Sequence, residues 1–275
     1  DYPKDPEFRK RFGPRGVIHS FAMPDGSQKI EDTGPLTIKR METVDEEVTA
    51  AALNFMDRAV KADKPFFLNY WPLYPLTGPR TTTDEYTTPN GGTYVEKMKL
   101  VDEWIGDLMS EMDELGIADN TVVIVMGDNG HFTKYSPQSG YTPMIFRGGK
   151  GSTTEGGVRV DAFVRWPGMI EADSVAGDII HVSDLFTTIA RLGGATDEIP
   201  TDRIIDGIDQ TSLLLNGETH GRRDYVFLYN INKLEAVVKE QFKLAIPGGN
   251  IDNAILADFY DLFRDPQEKY PVSTE

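Results

Sequence analysis

Apolar residues recur at helical spacing in two stretches of the chain. The first covers residues 44–61, and Thr43 with Glu46 forms a Thr-x-x-Glu capping box at its start. The second covers residues 94–115 in steps of four and three, with a similar box before it and a glycine after it. A further, shorter helix is expected at residues 183–192, where two glycines follow. The sequence therefore predicts three helices, and the first two have one apolar stripe each against a core.

Short runs of β-branched and aromatic residues alternate with these helices. Residues 66–70 and 121–126 lack polar–apolar alternation, so we expect strands that are covered on both faces. The helix at residues 94–115 lies between them, and this order predicts a parallel crossover. A further strand is expected to end at Trp166. Residues 1–40 are rich in Pro, Gly and charge and are expected to be irregular.

The C-terminal part of the chain has a different pattern. Residues 225–229, 234–238 and 242–246 are short apolar runs separated by brief turns, which predicts an antiparallel meander. We therefore expect an α/β domain at residues 1–217, in which helices sandwich a mixed or parallel sheet, and a small antiparallel α+β subdomain at residues 218–275.

Composition narrows the class of partner. The 275 residues carry 28 Lys and Arg against 44 Asp and Glu, and the net charge of −16 argues against nucleic acid or an anionic membrane surface as a partner. No apolar run approaches the length of a membrane span. An anionic substrate would therefore need local positive charge, above all a bound cation.

Two neighbouring oxygen ligands follow the strand at residues 121–126. Asp128 and Asn129 lie in a Gly-Asp-Asn-Gly sequence beyond its carboxyl end, where open α/β sheets bind their ligands. Carboxylate and amide oxygens are the ligands that hard cations prefer. The other interpretation of an Asn-Gly pair is a hairpin turn, although no second strand follows at once.

A glycine-rich segment with one lysine follows this corner. Lys150 lies among the glycines of residues 147–159, in a sequence similar to a phosphate-binding loop. The spacing of that motif fails, because Gly151 follows the lysine and Met144 takes the first glycine position. A metal corner followed by a flexible loop with a lysine predicts a site for an oxyanion.

The order and spacing of these motifs closely resemble those of the sulfatase family, within the alkaline-phosphatase-like superfamily. The matching segments are the strand with its Asp-Asn-Gly corner and residues 139–143, 146–151, 155–159, 166–168, 181–185, 205–207 and 260–266. The resemblance implies an alkaline-phosphatase-like α/β fold and an arylsulfatase-like hydrolase of sulfate esters. It also implies a periplasmic or extracellular location.

The resemblance also implies roles for individual residues. In that family the residues matching Asp128 and Asn129 bind calcium, and the lysine matching Lys150 contacts the sulfate group. The catalytic histidine that follows the family's equivalent of residues 66–70 is absent here. Tyr74 is the nearest titratable group but a poor acid, because tyrosine titrates at about pH 10. His131 is the other catalytic candidate, unless it is an exposed loop residue without a role.

Three family motifs are absent from the chain. Sulfatases use a formylglycine made from a Cys/Ser-x-Pro-x-Arg motif, and here there is no cysteine and no serine with proline two places later. The family's Asp-Asp pair and Gly-Lys-x-His motif are also absent. All three normally precede the matched region, so the chain resembles the C-terminal half of a sulfatase. The calcium site is then incomplete, and the formylglycine is expected in the missing N-terminal half.

Alone, such a chain is expected to be inactive and to self-associate through its open sheet unless the missing half is bound. Two other functions stay open. A phosphate or phosphonate ester hydrolase of the same superfamily would use the same corner and lysine. A stand-alone, non-catalytic module would keep the fold to bind an anion or a partner.

Overall fold

The computed structural model of the chain describes Glu7 and residues 16–37, 39–73, 94–131, 145–249 and 257–272. It contains two compact units, an N-terminal unit at residues 1–115 and a C-terminal unit at residues 116–275. Within the described residues, no helix is long and apolar enough to cross a membrane.

The described residues of the N-terminal unit include a hairpin and two helices, and both predicted helices are confirmed. The elements are β1 (Ile18–Ala22), β2 (Gln28–Asp32), α1 (Val44–Lys61) and α2 (Tyr94–Glu114). The predicted capping hydrogen bond of Thr43 is wrong, since its side chain makes no cap contact. Thr43 ends a 3₁₀ turn with φ −127° and ψ 0°, outside the extended conformation that a capping side chain needs.

Helices α1 and α2 pack against each other through their apolar stripes. Ala52 and Met56 of α1 are buried, as are Leu108 and Met112 of α2. Trp104 of α2 is also buried, whereas Met98 in the same helix is exposed. Gly116 follows α2 with a φ of 69°, which confirms the predicted stop signal.

The expectation of irregular structure in residues 1–40 is wrong for β1 and β2. These strands pair antiparallel, with Ile18 opposite Asp32 and Ala22 opposite Gln28. Both strands are exposed along their whole length, so no apolar alternation marks them in the sequence. The Pro-Asp-Gly turn at residues 24–26 was the available signal.

The predicted strand at residues 66–70 and its parallel crossover to residues 121–126 are wrong. Residues 65–73 have no ladder partner among the described residues. The segment is held by side chains of α1 instead. The Tyr70 hydroxyl lies 2.8 Å from the Thr49 hydroxyl, and the buried carboxylate of Asp45 accepts a 2.8 Å hydrogen bond from the N–H of Leu73.

The C-terminal unit contains the strand that leads to the predicted corner. This strand, β3 (Val123–Met126), pairs antiparallel with β4 (Ala162–Arg165), and Val123 lies opposite Arg165. Both predicted strands are confirmed, but the parallel arrangement and the cover on both faces are wrong, since β3 is half-buried and ends exposed. A short β-branched run without alternation fixes neither the direction of pairing nor the degree of burial.

The described residues of this unit also form short helices and a meander. The helices are α3 (Glu155–Val158), α4 (Asp184–Leu192) and α5 (Thr211–Asn216), and α4 confirms the third predicted helix. The strands are β5 (Tyr225–Asn230), β6 (Lys233–Lys239), β7 (Phe242–Ala245) and β8 (Asp258–Asp261), which form an antiparallel sheet in that order. The predicted meander is confirmed, and β8 is a fourth strand that the sequence pattern missed.

The meander has its own apolar core, made by Leu228, Ala236, Val238, Tyr260 and Leu262. Lys243 is the most deeply buried charged residue of this sheet: it lies opposite Val238 on β6 and opposite Tyr260 on β8, and it is 1% exposed. The sheet belongs to the same compact unit as β3 and β4. The subdomain boundary near residue 217 stays a prediction.

Candidate active site

The predicted metal corner lies directly after β3. The N–H of Gly127 donates to the carbonyl of Asp161 at 3.2 Å and so extends the pairing with β4 to the last residue before the corner. Asp128 is exposed, and its carboxylate makes no hydrogen bond or ion pair within the described part of the chain. Asn129 donates from Nδ2 to the carbonyl of Gly130 at 2.9 Å, which leaves its Oδ1 as an acceptor.

Gly130 brings this corner against the glycine-rich segment. Its N–H donates to the carbonyl of Gly157 at 3.0 Å. A Cβ at Gly130 would overlap the carbonyl oxygen of Gly156 and lie 2.9 Å from the Cα of Gly157. The two backbones therefore touch at a point where only a residue without a side chain fits.

The next contact joins two of the predicted site residues. The N–H of Lys150 donates to the carbonyl of His131 at 2.7 Å, so the lysine segment runs beside the corner. The ring atom Nε2 of His131 is buried and has no hydrogen-bond partner among the described residues. Tyr74 and the matched segment at residues 139–143 lie outside the described residues.

The lysine segment is a closed loop, called here the lysine loop (residues 147–157). Gly156 donates its N–H to the carbonyl of Arg147 at 2.7 Å and so joins the two ends of the loop. The Ser152 hydroxyl donates to the carbonyl of Gly149 at 2.8 Å. Lys150 lies in an exposed turn of this loop, and its ammonium group makes no hydrogen bond or ion pair with any described residue.

Ionic groups brace the lysine loop. Within the glycine-rich segment, Arg159 Nη1 lies 3.8 Å from Glu155 Oε2, and the Arg159 guanidinium lies 4.9 Å from the centre of the Phe146 ring. The closest ionic partner of Glu155 is Lys243 of β7. Its Nζ lies 3.2 Å from Glu155 Oε1 and 2.9 Å from Glu268 Oε1. The sequence analysis did not identify Lys243 or Glu268. For Lys243 the available signal was a single charged residue in the apolar run that forms β7.

A second buried ion pair lies elsewhere in the C-terminal unit. Arg223 donates to both carboxylate oxygens of Asp184, at 2.8 and 2.6 Å. Burial acts to raise the pKa of Asp184, but these hydrogen bonds and those from the backbone of Ile208 and His181 outweigh it and hold the pKa below its ordinary value. The ring of His181 lies 2.7 Å from the Ser183 hydroxyl, which is a structural role.

The predicted calcium ligands fit a hard cation in chemistry but not in number. Asp128 offers a carboxylate without a partner among the described residues, and Asn129 offers its amide oxygen. Calcium takes about six to eight oxygen ligands. Within the described ranges, no group of three or more acidic, histidine or cysteine residues is placed to hold a metal ion. These two residues alone would supply only part of the ligands of a calcium ion.

Comparison with known proteins identifies the family of the chain. The sequence profile of the Sulfatase family matches residues 3–195. The N-acetylgalactosamine-6-sulfatase of Mus musculus is 31% identical over 252 residues, which are 82% of this chain and 48% of that protein. The steryl-sulfatase of Rattus norvegicus is 32% identical over 215 residues, which are 67% of this chain and 37% of that protein.

A solved structure also matches most of the chain. The PsFucS1 sulfatase from Pseudoalteromonas sp. aligns with a TM-score of 0.76 and 29% identity, over 97% of this chain and 55% of that one. The fold is thus of the alkaline-phosphatase-like α/β class, as expected. The chain spans about half the length of the sulfatases it matches. With its corner, its lysine loop and a profile match over most of its length, the chain belongs to the sulfatase family.

Proposed function

We propose that this chain supplies part of the active site of a calcium-dependent, arylsulfatase-like sulfate ester hydrolase. In this proposal Asp128 and Asn129 hold the calcium ion, Lys150 binds the oxygens of the sulfate group, and His131 is the catalytic candidate for proton transfer. A segment outside these 275 residues supplies the nucleophile, since the chain has no Cys/Ser-x-Pro-x-Arg motif. A periplasmic or extracellular location remains a prediction.

One observation supports this proposal most directly. The hydrogen bond from Lys150 N–H to the His131 carbonyl at 2.7 Å holds the lysine loop beside the Asp128–Asn129 corner. The functional atoms of all four residues are unpaired within the described part of the chain: the carboxylate of Asp128, Oδ1 of Asn129, Nε2 of His131 and the ammonium group of Lys150. Polar groups left free together on two joined loops are available to a ligand.

The chemistry of the four residues suits a sulfate ester. A calcium ion held at the corner would supply positive charge to the sulfate oxygens. Lys150 adds a second positive charge from an exposed turn, in a chain whose net charge is −16. His131 would exchange a proton at Nε2 with the leaving alcohol. These residues bind and orient the ester and stabilise charge, and none of them is the nucleophile.

A non-catalytic anion-binding module is the second candidate, and the absent nucleophile motif favours it. A phosphate or phosphonate ester hydrolase would use the same corner and lysine, but both named relatives and the matched structure are sulfatases.

The test restores the nucleophile. The chain is assayed with 4-nitrophenyl sulfate in calcium buffer, alone and with a polypeptide from the N-terminal half of a sulfatase that carries a matured formylglycine. We expect no turnover above background from either polypeptide alone and turnover from the mixture or a fusion. Sulfate binding without turnover in the fusion would favour the anion-binding module. Faster hydrolysis of 4-nitrophenyl phosphate would favour the phosphatase alternative.

A further inference from the structure

Lys243 places a buried positive charge inside the C-terminal meander, and the stability of the fold alone does not explain it. Lys243 is 1% exposed and lies in a row across the sheet with Val226, Val238 and Tyr260. An ammonium group there loses nearly all of its hydration, and an apolar residue of similar volume would often stabilise a sheet as well or better. The lysine is tolerated because two buried carboxylates, those of Glu155 and Glu268, contact it.

Glu268 connects this lysine to both ends of the lysine loop. Its carboxylate lies 2.9 Å from Lys243 Nζ through Oε1, and its Oε2 accepts a 2.8 Å hydrogen bond from the N–H of Glu155. Its backbone carbonyl accepts a 2.6 Å hydrogen bond from Arg147 Nη1. Arg147 and Glu155, which lie near the two ends of the loop, are thus both anchored to Glu268.

The backbone of Glu268 is itself in an unusual conformation. Its φ is 50°, in the left-handed region that non-glycine residues rarely adopt. Such a conformation persists where the surroundings hold it, and here the side chain is 1% exposed and the carbonyl binds Arg147. Both the position and the conformation of Glu268 are therefore specified by its contacts with the loop and with Lys243.

We infer that Lys243 and Glu268 are positioning residues: acting through Glu155, they hold the lysine loop so that Lys150 stays beside the Asp128–Asn129 corner. This inference rests on the proposed function for the role of Lys150, but the anchoring of the loop stands on the contacts alone. Neither Lys243 nor Glu268 lies in residues 3–195, the part that the family profile matches. The C-terminal meander then contributes to the anion site by holding the lysine loop in place.

The test measures the loop directly, by hydrogen–deuterium exchange of the 275-residue chain with mass spectrometry. In Lys243→Met, we expect amides of the lysine loop to exchange about tenfold faster, including those of Lys150 and Gly156. The matched control is Arg223→Met, which breaks the other buried ion pair of the same unit. It should accelerate exchange near Asp184 and leave the loop within about twofold of wild type.

A milder variant keeps the test decisive if Lys243→Met does not fold. Glu268→Gln retains an acceptor for the Glu155 N–H but weakens the contact with Lys243, and it should still accelerate exchange in the loop by about threefold. Loop exchange equal to wild type in the folded variants would overturn the inference. So would equal acceleration of the loop in Arg223→Met, because the effect would then be general destabilisation.

A second measurement separates this inference from the proposed function. Equilibrium dialysis with inorganic sulfate should show about tenfold weaker binding in Lys243→Met and unchanged binding in Arg223→Met. If the wild-type chain binds no sulfate while the loop exchanges faster in Lys243→Met, the anchoring is supported and the role of Lys150 is contradicted. If sulfate binds equally well to a variant whose loop is released, the positioning role is contradicted.

Discussion

The contact between Gly130 and the lysine loop gives the sharpest structural prediction. A methyl group added in Gly130→Ala would overlap the carbonyl oxygen of Gly156 and lie 2.7 Å from its carbonyl carbon. The atoms in the way belong to the backbone, so no side-chain rotation relieves the clash. The loop must move away from the corner, and the hydrogen bond from Gly130 N–H to the Gly157 carbonyl, now 3.0 Å long, is lost or stretched.

The cost of this change has two parts. Overpacking a tight site costs about 1–3 kcal/mol. Loss of one backbone hydrogen bond adds about 0.5–1.5 kcal/mol. We therefore expect Gly130→Ala to lower the free energy of unfolding by about 1.5–4.5 kcal/mol, which is a large share of the roughly 5–15 kcal/mol of a typical domain.

Urea unfolding followed by far-ultraviolet circular dichroism measures this difference. Gly177→Ala is the matched control, because Gly177 lies in the same unit, is exposed and has only a side-chain oxygen of Glu218 near its Cβ position, at 3.7 Å. We expect the control to stay within about 0.5 kcal/mol of wild type. If the two variants unfold at the same urea concentration, the backbones at Gly130 and Gly156 do not touch as described.

Three further predictions concern charge, metal and assembly. Asp184→Asn should cost about 3–5 kcal/mol because it leaves Arg223 buried without its partner. Because the pKa of Asp184 is lowered, the stability that its ion pair adds is fully present above the unfolded pKa of about 3.8. It is lost as the pH falls through the pKa of the folded state. The urea midpoints of wild type and Asp184→Asn should therefore converge in acid. Calorimetry should show that the chain binds calcium with an affinity weaker than micromolar, because two residues supply too few ligands. Micromolar binding that is lost in Asp128→Asn would show instead that this chain holds a complete calcium site. With Phe67 66% and Phe163 67% exposed, the chain alone should self-associate in sedimentation at micromolar concentration, and a compact monomer that binds no hydrophobic dye would refute this.

The features that were predicted correctly depend on residues that are close together in the sequence. Helices α1 and α2 follow from apolar spacing, which depends on residues three and four positions apart. The corner at Asp128 and the loop at Lys150 are short motifs whose order along the chain is enough to identify the family. The meander is also local, since its first strands follow one another with turns of two residues at 231–232 and 240–241.

The features that the sequence did not predict depend on distant contacts or on which strand is a neighbour. Glu155 meets Lys243 88 residues later, and its N–H meets Glu268 113 residues later, so no spacing rule connects them. The apolar run of β3 was compatible with a parallel or an antiparallel neighbour. Its partner β4 became known only from the structure.

The central claim is that Lys150 binds the sulfate group of the substrate. Its most direct test is kcat/KM for 4-nitrophenyl sulfate in a fusion that restores the nucleophile, compared between Lys150→Ala and Lys233→Ala, another exposed lysine of the same unit. We expect Lys150→Ala to lower kcat/KM by about 10²–10³-fold, because it removes a charge that faces the reacting group, and Lys233→Ala to leave it unchanged. A Lys150→Ala fusion that retains kcat/KM within about threefold of wild type would contradict the account.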